Sequence, residues 1–168
     1  DEKLLKGKSS DAIQAACIFI ACREHHSTRT FKEICNLTKV SKKEIGRCFK
    51  LLQPSLAEPT QLQSLDSWVY RFSSQLDIPQ DVVREACKLC DLVSERGTLA
   101  GKSPISLVAA CLYFVSSLSK EPKSAKNIAD IAQCTESTLK NAYKSLYEER
   151  EELGKSLKTH FPISHLPC

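Results

Sequence analysis

The sequence has no apolar run approaching the roughly 18 residues that a helical membrane span needs. Its first ten residues, DEKLLKGKSS, lack the apolar stretch that directs secretion. These absences exclude a helical membrane protein and a secretory leader within this stretch. No period-two alternation marks a β-strand. Gly101-Lys102 has no preceding strand and no glycine at P-loop spacing ahead of it, which excludes a nucleotide-binding P-loop there. No nucleophile, base and orienting acid can be grouped. Cys87-x-x-Cys90 has zinc-ligand spacing, but no second Cys or His pair matches it and a structural zinc site needs four ligands. Both cysteines therefore read as small core residues. The expectation is a protein that binds other macromolecules: not an enzyme, with no cofactor, no metal site and no small-molecule substrate.

What is present fits a folded helical protein. An apolar fraction of 42% with 26% charged residues is ordinary for one or two small domains in 168 residues. The nine cysteines are odd in number and lie within apolar helix patterns, which predicts a reducing compartment, cytosol or nucleus. The net charge of +4 is unevenly spread. Residues 1–53 hold eleven Lys or Arg against six Asp or Glu, so the remainder is slightly acidic. A basic first part suggests an acidic partner or nucleic acid.

The chain also repeats itself. Gly7-Lys8-Ser9 recurs as Gly101-Lys102-Ser103, and Ala15-Ala16-Cys17-Ile18-Phe19 as Ala109-Ala110-Cys111-Leu112-Tyr113, both at an offset of 94. The register continues without a gap through Lys32 and Lys126, Ile34 and Ile128, Phe49 and Tyr143, and Leu52 and Leu146. Ten of 46 positions are identical between 7–52 and 101–146, against about three for random pairing of average composition. This is a duplication of one all-helical module.

Start and stop signals divide each copy into helices. Ser103 caps and Pro104 opens a helix to about Ser117, and Ser9 does the same before Asp11–Glu24. Both helices are apolar nearly all round, which predicts central positions with Cys17 and Cys111 in the core. Thr30-x-x-Glu33 and Ser41-x-x-Glu44 are capping boxes opening two shorter helices, to about Leu37 and Leu52, matched in copy two by helices starting at Ser124 and Thr135. Copy two adds two earlier helices, Leu65–Gln75 and one from near Pro79 to before Gly97, giving five per module. Only six residues precede Gly7, so copy one is expected to lack its first two helices, as in a fragment or variant of a longer protein. The expected organisation is a partial first module over 1–53, a linker over 54–64, a second module over 65–153, and a tail over 154–168 with weak patterning and no assigned role.

The last two helices of each copy, about three residues apart, have helix-turn-helix proportions. In copy one Ile45, Cys48, Phe49 and Leu52 must face the core, leaving Lys42, Lys43, Arg47 and Lys50 outside, with Lys43, Arg47 and Lys50 in one stripe. In copy two Leu139, Ala142, Tyr143 and Leu146 face inward, exposing Ser137, Lys140, Asn141 and Lys144. Such cationic, amide and hydroxyl groups suit base edges and phosphates, although a solvated helix face is the plainer alternative. The turns Gly7-Lys8 and Gly101-Lys102 place a flexible backbone and a cation beside a helix N-terminus, which suits a phosphate. His25 and His26 end a helix, where they interact with its dipole. Trp68 and Phe72 share a helix and read as packing residues.

GKSSDAIQAACIFIACR followed by RTFKEICNLTKVSKKEIGRCFKLL closely resembles the first cyclin-like repeat of the transcription factor IIB family. GKSPISLVAACLYFVS followed by TESTLKNAYKSLY is similar to its second. The resemblance implies cyclin-type five-helix modules that bind the TATA-binding protein on promoter DNA, flank the TATA box and recruit RNA polymerase II in the nucleus. It implies a contact surface for the TATA-binding protein at Arg23, Lys42, Lys43 and Arg47, and a DNA-approaching loop at Gly7 and Lys8. It places the base-contacting positions of the upstream-reading helix at Ser137 and Lys140. The family's metazoan pattern has valine and arginine there, and lysine cannot reproduce the arginine fork on guanine. That departure leaves phosphate contacts by Lys140 and Lys144 as the implied role. The family's zinc ribbon and reader segment lie outside the sequence given, so the chain is expected to dock on promoter complexes without supporting initiation alone. Two alternatives share the fold: a cyclin-like regulatory subunit of a protein kinase, against which the basic helices argue, and a family paralogue serving RNA polymerase III.

Overall fold

The computed structural model describes residues 6–25, 27–55 and 64–168, and the regular elements among them are all helical. They are α1 (Ser10–Glu24), α2 (Phe31–Thr38), α3 (Lys42–Leu52), α4 (Leu65–Gln75), α5 (Gln80–Arg96), α6 (Pro104–Ser117), α7 (Ala125–Ala132), α8 (Glu136–Glu148) and α9 (Arg150–Gly154), with single 3-10 turns at Gln53–Ser55 and Ile163–His165. None of the described helices is long and apolar enough to cross a membrane. The chain divides into two compact units, residues 1–63 and 64–168. His26 and linker residues 56–63 lie outside the described residues.

In the second unit α6 is the central element, packed by α4, α5, α7 and α8. Ser103 accepts a hydrogen bond from the Ser106 amide at 3.2 Å, and Pro104 occupies the first turn, where its missing N–H costs nothing. Val108, Ala109, Ala110, Cys111, Leu112 and Phe114 are completely enclosed. The adjacent alanines let neighbouring helices come close, and each enclosed Leu or Phe contributes about 1.5–3 kcal/mol of burial. Trp68 and Phe72 pack at 5.5 Å between ring centres on α4. Cys90 on α5 meets Cys111 on α6, and burial pushes the Cys87 thiol up to about 12, aided by the Asp66 carboxylate it donates to. These thiols are packing groups, and no disulfide links any two cysteines among the described residues.

In the first unit α1 packs against α2 and α3 through Ala12, Ala15, Ala16 and Phe19. Rings of Phe19, Phe31 and Phe49 close this core, with Phe19 and Phe31 stacked at 4.0 Å and Phe49 edge-on to both. One expectation is corrected here. Cys17 is exposed, whereas its counterpart Cys111 is fully buried. The same holds for Ile18, 48% exposed, against Leu112 at 0%. The cause is packing: α4 and α5 complete the cover of α6, while among the described residues only α2 and α3 pack against α1.

The segment after α8, made of α9 and the weakly patterned tail that follows it, is a docked strap. Leu153 and Leu166 are buried in the second core, with Leu157 and Ile163 packed against it. The amides of His160 and Phe161 both donate to the Leu118 carbonyl at 3.1 Å, and the Lys158 amide donates to Glu85 Oε2 at 2.9 Å.

Candidate protein and nucleic-acid interface

The α2–α3 pair is built from its caps. Thr30 Oγ1 accepts from the Glu33 amide at 3.0 Å while Glu33 Oε2 accepts from the Thr30 amide at 2.7 Å. Ser41 and Glu44 repeat the arrangement, with the Ser41 hydroxyl donating to Glu44 at 2.6 Å. Ser41's hydroxyl, then its amide, hold the Glu44 carboxyl below the usual carboxylate range. Glu44 is therefore occupied with capping. Lys39 turns the chain in the left-handed region at φ 58°, and Ser41 starts α3 with Ile45 and Cys48 buried.

On the opposite side of α3, Lys42, Lys43, Arg47 and Lys50 are exposed and line one shallow, open depression of about 500 Å³. The remaining lining residue is Gly46. Of the four residues that resemblance assigns to the TATA-binding protein, three meet here. Arg23 does not line the depression: it is half-buried on α1, its guanidinium carbon 5.7 Å from the Phe19 ring centre and 5.6 Å from that of Phe49. Burial lowers its pKa from the ordinary arginine value, and the charge is spent on aromatic faces.

The α7–α8 pair has the same build with different chemistry outside. Ser124 and Thr135 cap the two helices, and Leu139, Ala142, Tyr143 and Leu146 face the core. Ser137, Lys140, Asn141 and Lys144 are exposed. Lys140 pairs with Glu136 one turn earlier at 2.7 Å, and the Glu136 carboxylate raises its pKa. Such an exposed pair is screened by salt and gives way to a phosphate.

Sequence reasoning missed the groove next to these residues. Lys140, Asn141 and Lys144 border a cavity of about 410 Å³ whose walls are Tyr113, Tyr143, Tyr147 and the strap residues Pro167 and Cys168. Ser137 does not line it. Tyr113 and Tyr143 meet edge-to-face at 4.8 Å, and the Tyr143 hydroxyl donates to the Pro167 carbonyl at 2.7 Å. Burial raises the Tyr143 phenol well above its ordinary pKa, so it remains a neutral donor. The i, i+4 spacing of Tyr143 and Tyr147 signals a shared face, but their strap partners are invisible to it.

The glycine turns are near-copies. Gly7 and Gly101 sit at φ 82° and 81°, in the left-handed region where only glycine is unstrained, and the following lysines are exposed. They differ in electrostatics. Asp11 lies in the first turn of α1, whereas the first turn of α6 has no acid. An approaching phosphate meets a repelling carboxylate beside Gly7-Lys8 and none beside Gly101-Lys102. Among the described residues, no group of three or more His, Cys, Asp or Glu could hold a metal ion.

A family model described as the transcription factor TFIIB repeat matches residues 1–55 and 58–149. Transcription initiation factor IIB of Dictyostelium discoideum is 44% identical over 170 residues, covering 99% of this chain and 52% of that protein. The factor of the same name from Drosophila melanogaster is 42% identical, and that from Homo sapiens 39%, each covering 99% of this chain and 53% of the relative. The chain thus spans about half the length of these curated relatives. Duplicated all-helical units, a family match along nearly all the chain and this level of identity have one consequence: the chain belongs to the transcription factor IIB repeat family, with its cyclin-like all-α fold.

Proposed function

We propose that the chain is the promoter-docking core of a general transcription initiation factor for RNA polymerase II, acting in the nucleus without catalysis. The first unit binds an acidic surface of the TATA-binding protein through Lys42, Lys43 and Arg47, with Arg23 bracing α3 from behind. The second unit contacts promoter DNA beside the TATA box through Lys140 and Lys144, with Ser137 at the start of α8 and Gly101-Lys102 offering a further phosphate contact. Gly7-Lys8 is a weaker DNA contact because of Asp11. Together the two units bridge the bound promoter to the polymerase.

The observation that carries this reading is the contrast between equivalent helices. On α3 four cations surround one depression while Glu44 on the same helix is tied up in a cap, whereas on α8 the central cation is paired and flanked by hydroxyl and amide groups. The first pattern suits carboxylates, and the second suits phosphates and base edges. The relatives' name, transcription initiation factor IIB, agrees with it.

A gel-shift titration tests the proposal. Added to the TATA-binding protein on a TATA duplex with flanking sequence, the chain is expected to give a slower ternary complex that weakens steeply as salt rises, because phosphate contacts release counterions. No slower complex at any salt would overturn it.

A further inference from the structure

Equivalent aromatic pairs in the two units have different cover. In the first unit Phe19 and Phe49 are closed over by the Phe31 ring, stacked on Phe19 at 4.0 Å, and by the Arg23 guanidinium above both rings. At the offset of 94 the pair becomes Tyr113 and Tyr143, while Phe31 becomes Ala125 and Arg23 becomes Ser117. A methyl and a hydroxymethyl group are too short to replace a ring and a guanidinium. The cavity of about 410 Å³ opens beside this tyrosine pair, walled by Tyr113, Tyr143, Tyr147 and Pro167 and rimmed by Lys140 and Lys144.

Its chemistry is selective. The ring faces and the proline make the interior mainly apolar. Two of the tyrosine hydroxyls are already engaged, Tyr143 with the Pro167 carbonyl at 2.7 Å and Tyr147 with Cys168 Sγ at 3.2 Å. No carboxylate lines the cavity, and both rim lysines are exposed. Its volume is near the lower end of the roughly 300–1,000 Å³ that ligand pockets span, enough for side chains and too little for a folded element. A duplex laid on α8 touches the rim lysines with its phosphates and leaves the apolar interior empty.

We infer that this groove is a docking site for a short acidic peptide: a leucine or phenylalanine enters between the tyrosines, and neighbouring aspartate or glutamate carboxylates pair with Lys140 and Lys144. Burial of the apolar side chain supplies most of the affinity, and the lysines select peptides with acids beside it. Lys140 exchanges its exposed partner Glu136 for the peptide carboxylate. Peptide and promoter DNA then compete for the same two lysines, so an occupied groove withdraws the second unit from DNA. The site stands without the proposed DNA contact, and only this competition rests on it.

Fluorescence anisotropy tests the site with a short labelled probe, aspartates and glutamates around one central leucine. Saturable binding is expected, weakened about tenfold when alanine replaces the probe's leucine, and about tenfold by Lys140→Ala with Lys144→Ala. Ser117→Arg sets a guanidinium over the tyrosine pair, as Arg23 lies over Phe19 and Phe49, and is expected to weaken binding although it adds a positive charge. No saturable binding, or equal binding of the leucine and alanine probes, would overturn the inference whatever the folding of any variant. Tighter binding to Ser117→Arg would make charge the only attraction and overturn it as well. Unlabelled TATA duplex with flanking sequence is expected to displace the probe, and a duplex that binds while the probe stays would overturn the competition. A chain that binds the probe but no duplex would instead overturn the DNA reading.

Discussion

The Arg23 guanidinium rests over the Phe49 ring at 5.6 Å, tying α1 to α3 directly behind the exposed Lys50. A surface contact and a brace respond differently to substitution. Arg23→Ala is expected to destabilise the first unit by about 1 kcal/mol through loss of cation–π contact and stem packing. Arg23→Lys keeps the charge but not the planar stack, and is expected to recover only part of that loss. Urea unfolding measures both, and equal stability of all three chains would make Arg23 a surface contact only.

The two informative glycines should move stability in opposite directions. Gly101→Ala forces a side chain into φ 81° and is expected to cost about 1 kcal/mol. Gly46→Ala is expected to add about 0.5–1 kcal/mol. Thermal unfolding of each variant gives the sign.

Glu85 holds the strap to α5, and its titration sets an acid limit. Burial alone would raise its pKa, but hydrogen bonds from the Lys88 side chain and the Lys158 amide outweigh this and hold it below the ordinary 4.5. Because the folded value is the lower one, this stabilisation is complete above the unfolded value and is lost as pH falls below about 4.5 through the folded value. Glu85→Gln is expected to cost about 1–3 kcal/mol near neutrality and to flatten the dependence below pH 4.5. Denaturant midpoints against pH measure this, and parallel curves for the two chains would remove Glu85 as the cause.

Tyr143→Phe removes the hydroxyl donated to the Pro167 carbonyl while leaving the ring contacts in place. The expected effect is a loss of about 1 kcal/mol and faster proteolysis within residues 155–168. An unchanged cleavage rate would mean that the strap's other contacts hold it without this hydrogen bond.

Much of this was legible because it is local. The capping boxes at Thr30 and Ser41 use residues three apart, and the stripe of Lys43, Arg47 and Lys50 follows from which side Ile45 and Cys48 bury. The exposure of Cys17 and Ile18 was not legible, since an apolar helix is buried only where other elements reach it, and burial was inferred from α1's own composition. Arg23 was assigned from the family resemblance, but its surroundings are set by Phe19 on its own helix and Phe49 on another. The strap carries its apolar residues at 157, 163 and 166 without a period, so the pattern gives no sign that it docks, and the tyrosine groove it completes was hidden with it.

The division of labour between the two units is tested most directly by paired charge reversals in the gel-shift assay. Lys43→Glu with Arg47→Glu is expected to abolish the ternary complex with the TATA-binding protein on every duplex that binds that protein. Lys140→Glu with Lys144→Glu is expected to weaken it only on duplexes long enough to offer DNA beside the TATA box. A complex unchanged by the α3 reversals, or one equally sensitive to both pairs on the shortest duplex, would contradict the assignment of the first unit to an acidic protein and the second to DNA.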